Sequence, residues 1–175
     1  MNITGGKYNS RIIKTPDFVN VKPTLSKIRQ AVFNSLSSIG QFSTFLDLYS
    51  GSGIMSFEAV SRGFLTTAVE KDKKTAAYIK QNIKLLNCEL DFYNTDAIKF
   101  LNSACKKFDV IYIDPPYENT ELYEKSLELI KNKNILAENG LVILEKISSS
   151  QIKTSGFKIL KEKNYSAKTI IFLIR

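Results

Sequence analysis

Short apolar runs alternating with amphipathic helical stretches constrain this chain more than any other feature of its sequence. Apolar and β-branched residues predict strands near 44–49, 66–70, 91–94, 108–113 and 140–146. Between them, helical spacing predicts helices near 54–62, 73–86, 97–105 and 121–133, with Ala76, Ile79, Ile83 and Leu86 along the apolar face of the second. Such alternation implies an α/β fold, a mostly parallel, doubly wound, Rossmann-like sheet. Right-handed crossovers then place the loop after each strand along one edge. That edge is where ligands bind in open α/β sheets.

Both ends break the pattern. Residues 1–20 carry Gly5, Gly6, Lys7, Arg11 and Lys14 with poor alternation, and read as a basic extended arm or hairpin outside the main core. Pro23-Thr24 opens a helix that Thr24 can cap, with Leu25, Ile28, Val32 and Leu36 as its apolar stripe and Lys22, Lys27 and Arg29 around its start. In the tail, 157–160 and 169–174 are two strands with no helix between them, so an antiparallel C-terminal hairpin is expected to close the sheet. With no repeat or linker, the 175 residues read as one domain: an arm over 1–20, then a helix and Rossmann-like core over 21–175.

Composition narrows the chemistry. Lys and Arg number 25 against 17 Asp and Glu, a formal net charge of +8 that favours a polyanionic partner. There is no His, so neither a His base nor a His-ligated metal is available. Cys88 and Cys105 lie far apart and form no ligand cluster, so they read as reduced packing residues and no metal is expected. No apolar run approaches the roughly 20 residues that cross a bilayer, and the first residues lack a signal peptide's apolar core, so a cytoplasmic protein without membrane contact is expected.

Two loops on the ligand-binding edge carry the functional signal. Asp114-Pro115-Pro116-Tyr117 follows Phe108–Ile113, which reads as a buried parallel strand. Proline fixes φ and removes an N–H, so the turn is stiff and offers carbonyl acceptors. An anionic acceptor, a rigid backbone acceptor and a flat ring suit a planar substrate bearing an amino group, such as a nucleobase. Upstream, Phe45-Leu46-Asp47-Leu48-Tyr49-Ser50-Gly51-Ser52-Gly53 is a strand running into a glycine-rich turn. Glu70 ends the next strand and suits a ribose; Asp96 ends the third and suits an adenine amino group. A dinucleotide fingerprint wants Gly at position 56, which is Ser56, and Asp47 adds negative charge where a pyrophosphate would sit. A cationic sulfonium with an adenosine tail fits better.

Taken together, Gly5-Gly6-Lys7…Arg11, Pro23-Thr24…Arg29…Phe33-Asn34, Leu46-Asp47…Ser50-Gly51-Ser52-Gly53, Glu58-Ala59…Ser61-Arg62-Gly63, Glu70-Lys71-Asp72, Asp96-Ala97 and Phe108-Asp109…Asp114-Pro115-Pro116-Tyr117 resemble the RsmD family. These are class I S-adenosylmethionine-dependent enzymes that methylate guanine N2 in 16S ribosomal RNA. The resemblance runs from the first residues to about Glu145; the tail is generic. It implies that Asp47, Tyr49, Ser50, Gly51 and Gly53 hold the methionine end of S-adenosylmethionine, Glu70 and Lys71 the ribose region, and Asp96 and Ala97 the adenine. It likewise implies that Asp114, Pro115, Pro116 and Tyr117 hold the target base, Tyr117 by stacking. Lys7, Arg11, Lys22 and Arg29 are the candidates for phosphate contacts with 16S rRNA or the 30S subunit, approached by a monomer. The family often has Arg-Gly-Arg after its Gly-Gly-Lys, whereas Asn9-Ser10-Arg11 keeps only the second Arg. Rival readings are a DNA adenine-N6 methyltransferase, a non-catalytic RNA-binding protein of the same fold, and a nicotinamide oxidoreductase.

Overall fold

The computed structural model describes residues 1–15, 25–116 and 119–175, so Lys22, the Thr24 cap and Tyr117 lie outside the described residues. The strands are β1 (Thr44–Asp47), β2 (Leu65–Val69), β3 (Asp91–Tyr93), β4 (Phe108–Ile113), β5 (Leu136–Ile147), β6 (Lys158–Tyr165) and β7 (Lys168–Ile174). The helices are α1 (Ser26–Ile39), α2 (Ile54–Ser61), α3 (Lys73–Leu86), α4 (Ala97–Ser103) and α5 (Thr120–Asn132). The strands form one sheet in the order β3-β2-β1-β4-β5-β7-β6. Pairing is parallel from β3 through β5 and antiparallel where β7 meets β5 and β6. The tail hairpin is therefore present, with β7 inserted beside β5 and β6 left as the edge. That edge strand is lysine-rich (Lys158, Lys161, Lys163), which discourages pairing with another chain.

Helix starts follow the capping chemistry of the sequence. The Asp72 carboxylate accepts from the Thr75 N–H at 2.7 Å, the Asp96 carboxylate from the N–H groups of Ile98 and Lys99, and the Asn119 side chain from the Leu122 N–H. Alternate residues of the central strands face opposite layers. Phe45, Val110, Tyr112, Ile143 and Phe172 pack with Ile28, Val32, Phe33 and Leu36 of α1 and Met55 and Ala59 of α2. Leu46, Ile111, Ile113, Val142, Leu144 and Leu173 pack on the other face with Leu101 of α4 and Tyr123, Leu127 and Ile130 of α5. Leu25, expected in the α1 stripe, is 63 % exposed, because it sits at the N-cap ahead of the helical turn that faces the core.

The amino-terminal arm corrects a second expectation. It is a hairpin, bridged between Asn2 and Ile12, but it does not lie outside the core. Ile3 and Ile13, each 1 % exposed, pack with Ile54, Phe57, Ile79 and Leu86. Asn82 of α3 binds the Lys14 backbone on both sides, its amide oxygen accepting from Lys14 N–H and its amide nitrogen donating to Lys14 O. Gly5 and Gly6 press on the end of α2. The Ser61 hydroxyl donates to Gly5 O, and Ser61 O accepts from the Lys7 N–H at 2.6 Å. Gly6 holds φ +77°, and a Cβ there would meet Ser61 O at 1.9 Å. The Gly-Gly pair is a docking device for the arm.

Glu58 ties these parts together. Fully buried on α2, it accepts from the Thr4 N–H and hydroxyl of the arm, from Arg29 Nε of α1 at 2.9 Å, and from Arg62 one turn along its own helix. Arg29 also donates to Asn2 O at 2.7 Å. Arg29, expected to meet RNA phosphate, is instead 4 % exposed and occupied by these partners, a correction with a plain electrostatic cause: a buried carboxylate requires a buried cation. Glu58→Ala removes the buried carboxylate that Arg29, Arg62 and Thr4 share and is expected to cost about 3–5 kcal/mol of stability in urea unfolding. Lys106→Ala, which removes the exposed pair with Asp91 at 2.9 Å, is expected to cost less than about 1 kcal/mol.

Candidate active site

The strand order reverses between β1 and β4, and the crevice beyond their carboxyl ends is the topological switch point of the sheet. Asp47 ends β1 and Asp114 follows β4. Both continue the alternation of Phe45, Val110 and Tyr112, so both face the α1–α2 layer, and Glu145 of β5 does the same beyond Ile143. Three carboxylates thus converge below one crevice. Lys168, the first residue of β7, reaches into the group. It pairs with Glu145, and its Nζ lies 3.6 Å from Asp114 Oδ2. The Tyr112 hydroxyl donates to the Glu145 carboxylate, and the Tyr123 hydroxyl to the Glu145 carbonyl.

This arrangement shapes the acid–base character of the crevice. Asp47, 2 % exposed, is pushed up to about 7 by burial, opposed by the hydrogen bond from Ser56 and reinforced by the charges of Glu70 and Glu145. Asp114 also lies well above the ordinary carboxylate range, first through burial and then through Glu145, with Lys168 opposing and Asp47 adding. Burial works to lower Lys168, yet the Asp114 and Glu145 carboxylates outweigh it and hold its ammonium above its usual value. The site carries more acid than base among the described residues. Its net field favours a cation or an amine.

The glycine turn has a physical basis at each position. Gly53 caps α2 in the left-handed region at φ +78°, and a Cβ there would come within 2.9 Å of the Phe57 ring. Ser50, 7 % exposed, donates to the carbonyls of Asp47 and Val69 and accepts from Val69 N–H, stitching β1 to β2. Ser56 stands where a dinucleotide fingerprint needs glycine, and its hydroxyl donates to Asp47 at 2.6 Å, filling the space beneath the turn. Glu70 accepts the Gly51 N–H at 2.8 Å on one oxygen and the Asp72 N–H at 2.7 Å on the other. Each carboxylate oxygen has a second lone-pair direction, so both retain capacity for a diol. Burial pushes Glu70 up, against those two N–H groups. Lys71 beside it is exposed. Asp96 uses Oδ1 for the α4 cap, at 3.0 and 3.1 Å, leaving Oδ2 for an amino group, while Ala97 is buried in the first turn.

The structure thus brings Asp47, Ser50, Gly51, Gly53, Glu70, Asp96 and Asp114 along one edge, with Pro115 buried and Pro116 half-buried beside Asp114. Tyr49 points the other way: its hydroxyl hydrogen-bonds with Ser126 of α5 at 2.9 Å, in the α4–α5 layer. Lys7 and Arg11 are exposed on the arm, distant in sequence from the crevice, and Lys7 Nζ lies 5.2 Å over the Tyr8 ring. Two residues that sequence reasoning passed over are Glu145 and Lys168. The signal for Glu145 was a charge directly after the apolar run Leu141-Val142-Ile143-Leu144, at the carboxyl end of a strand. Lys168 gave no signal beyond opening a β-branched strand.

A family model described as conserved hypothetical protein 95 matches residues 1–174. The ribosomal RNA small subunit methyltransferase D of Buchnera aphidicola is 33 % identical over 153 residues, which is 86 % of this chain and 80 % of that protein. Among solved structures, a putative methyltransferase from Escherichia coli superimposes with a TM-score of 0.86 at 23 % identity, covering 99 % of this chain and 96 % of the other. The tRNA (uracil-54, C5)-methyltransferase of Pyrococcus abyssi, in complex with S-adenosyl-L-homocysteine, gives 0.68 at 16 % identity, covering 89 % of this chain and 40 % of that one. At those identities the two structures speak to the class I methyltransferase fold alone. With its model matched along nearly the whole length and a curated relative covered over most of its own, the chain belongs to the RsmD family.

Proposed function

We propose that this protein, an rRNA methyltransferase by its family, transfers a methyl group from S-adenosylmethionine to the exocyclic N2 amine of a guanine in 16S rRNA of the small subunit. The observation that carries the reading is the acid-rich switch point, with Asp47, Asp114 and Glu145 set against the Lys168 ammonium among the described residues. That field suits both a cationic donor and an amine that turns cationic as it reacts. When bound, S-adenosylmethionine supplies an electrophilic methyl on a sulfonium. Glu70 would accept its ribose hydroxyls, Asp96 Oδ2 its adenine amine, and the turn from Ser50 to Gly53 would border its methionine end.

The acceptor side follows from Asp114 and the prolines after it. Guanine N2 is a poor nucleophile because its lone pair is delocalised into the ring. Asp114 would accept one N–H and the Pro115 carbonyl the other, favouring a pyramidal nitrogen whose lone pair points at the methyl. Held above its usual range, Asp114 is a better proton acceptor than a free carboxylate and would take the proton shed by N2. Holding both reactants in line supplies much of the remaining acceleration. Tyr117 would stack on the base, worth roughly 1–3 kcal/mol. Against the DNA adenine-N6 alternative stands the family match, whose named relatives are ribosomal RNA methyltransferases.

Asp114→Ala is expected to keep donor affinity within about twofold and lose turnover by about a hundredfold or more, with Glu70→Ala showing the mirror pattern in donor binding. The assay uses labelled donor with 16S rRNA or 30S subunits lacking the modification, followed by nucleoside mapping. N2-methylguanine is the expected product; N6-methyladenine, or near wild-type turnover by Asp114→Ala, would contradict the reading. Lys7, Arg11 and Lys22 remain our candidates for phosphate contact. The double variant Lys7→Ala, Arg11→Ala should weaken RNA binding and flatten its salt dependence by about two charges, and an unchanged slope removes both.

A further inference from the structure

Lys168 belongs to the strand whose sequence looked generic, yet its ammonium is the one cation in contact with two site carboxylates among the described residues. It lies opposite Ile147 in the β5–β7 ladder, so its side chain projects on the same face as Glu145, two residues earlier. Glu145 is fully buried and the Lys168 side chain is 15 % exposed. The pair is braced from two more elements, by the Tyr112 hydroxyl of β4 and the Tyr123 hydroxyl of α5. Beyond it stands Asp114, whose side chain keeps 25 % of its surface open toward the crevice.

We propose that Lys168 is a positioning residue for methyl transfer: anchored by Glu145, its ammonium turns the Asp114 carboxylate toward the substrate amine and favours its charged form. The proposal rests on reading Asp114 as the amine acceptor. Its physical basis is a balance at one carboxylate. Asp47 of β1 and Glu145 of β5 both disfavour a charge on Asp114, as does burial, and Lys168 of β7 is the opposing influence. Even with Lys168 in place Asp114 is pushed up to about 8, so without it a still smaller share would be ionised and able to accept an N–H at a given pH. Glu145 has the complementary task of keeping the ammonium charged and in place, since a lone buried cation is costly. The site is thus tuned from a strand that contributes no residue to the donor turn.

The test is the pH dependence of single-turnover methyl transfer, with donor affinity and thermal melting measured in parallel. Lys168→Gln is expected to move the acid limb of the profile up by about one pH unit or more, lowering turnover below the limb by about tenfold, with donor affinity within about twofold. Lys168→Arg restores the limb. An unmoved limb in Lys168→Gln, whether turnover is normal or uniformly reduced, overturns the proposal. If Lys168→Gln does not melt cooperatively, Lys168→Met decides in its place on the same criterion. Asp114→Ala separates the two claims: activity in that variant defeats the acceptor reading itself, whereas its inactivity together with unmoved limbs defeats only the role of Lys168.

Discussion

Three carboxylates, two of them buried, share one crevice with a single ammonium among the described residues, and much of the molecule is arranged to tolerate that imbalance. Asp47 keeps its position through Ser56, Glu145 through Tyr112 and Lys168, and Asp114 through Lys168 alone among the described side chains. In water such groups would sit apart. In the sheet they are forced together, because β1, β4 and β5 are parallel neighbours whose carboxyl ends coincide at the switch point. The resulting repulsion is carried by raised proton affinities. On the proposed reading a cationic donor and a nascent ammonium would both relieve it, so one electrostatic strain would serve binding of one reactant and activation of the other.

A second buried carboxylate supports the site from outside. Glu58 joins arm, α1 and α2 through Thr4, Arg29 and Arg62, and α2 begins at Gly53, in the donor turn. The arm therefore braces the helix that presents the turn as well as extending basic residues into solvent. Its conformation is set by apolar anchors at Ile3 and Ile13 and by the close approach of Gly6 to Ser61. Lys7 and Arg11 are exposed because their neighbours in sequence are held. Asp109 plays a comparable part at the opposite end of the sheet, accepting from the N–H groups of Ser43 and Thr44 where β1 begins.

The parallel sheet was legible because β-branched runs and helical spacing repeat without ambiguity from 44 to 146. The places of the glycine turn and Asp114 were legible because both directly follow strands of the sheet. The arm was misread because two isolated isoleucines ten positions apart show no periodicity, although both are core residues. Arg29 was misread because sign of charge was given more weight than helical position: it lies four residues before Phe33 and seven before Leu36, on the buried face. Its partner Glu58 is far off in sequence, and only tertiary packing brings the two together. Glu145 and Lys168 were missed for the same reason, since a diagonal pair across antiparallel strands depends on a register that the hairpin loop does not announce.

Carboxyl-carbon NMR titration of the protein labelled with 13C-aspartate tests the central claim most directly, with Asp47→Asn and Asp114→Asn used to assign the two signals. Asp47 is expected to titrate near pH 7 and Asp114 also well above the ordinary carboxylate range. Midpoints for both at the ordinary aspartate value of about 3.9 would contradict the account.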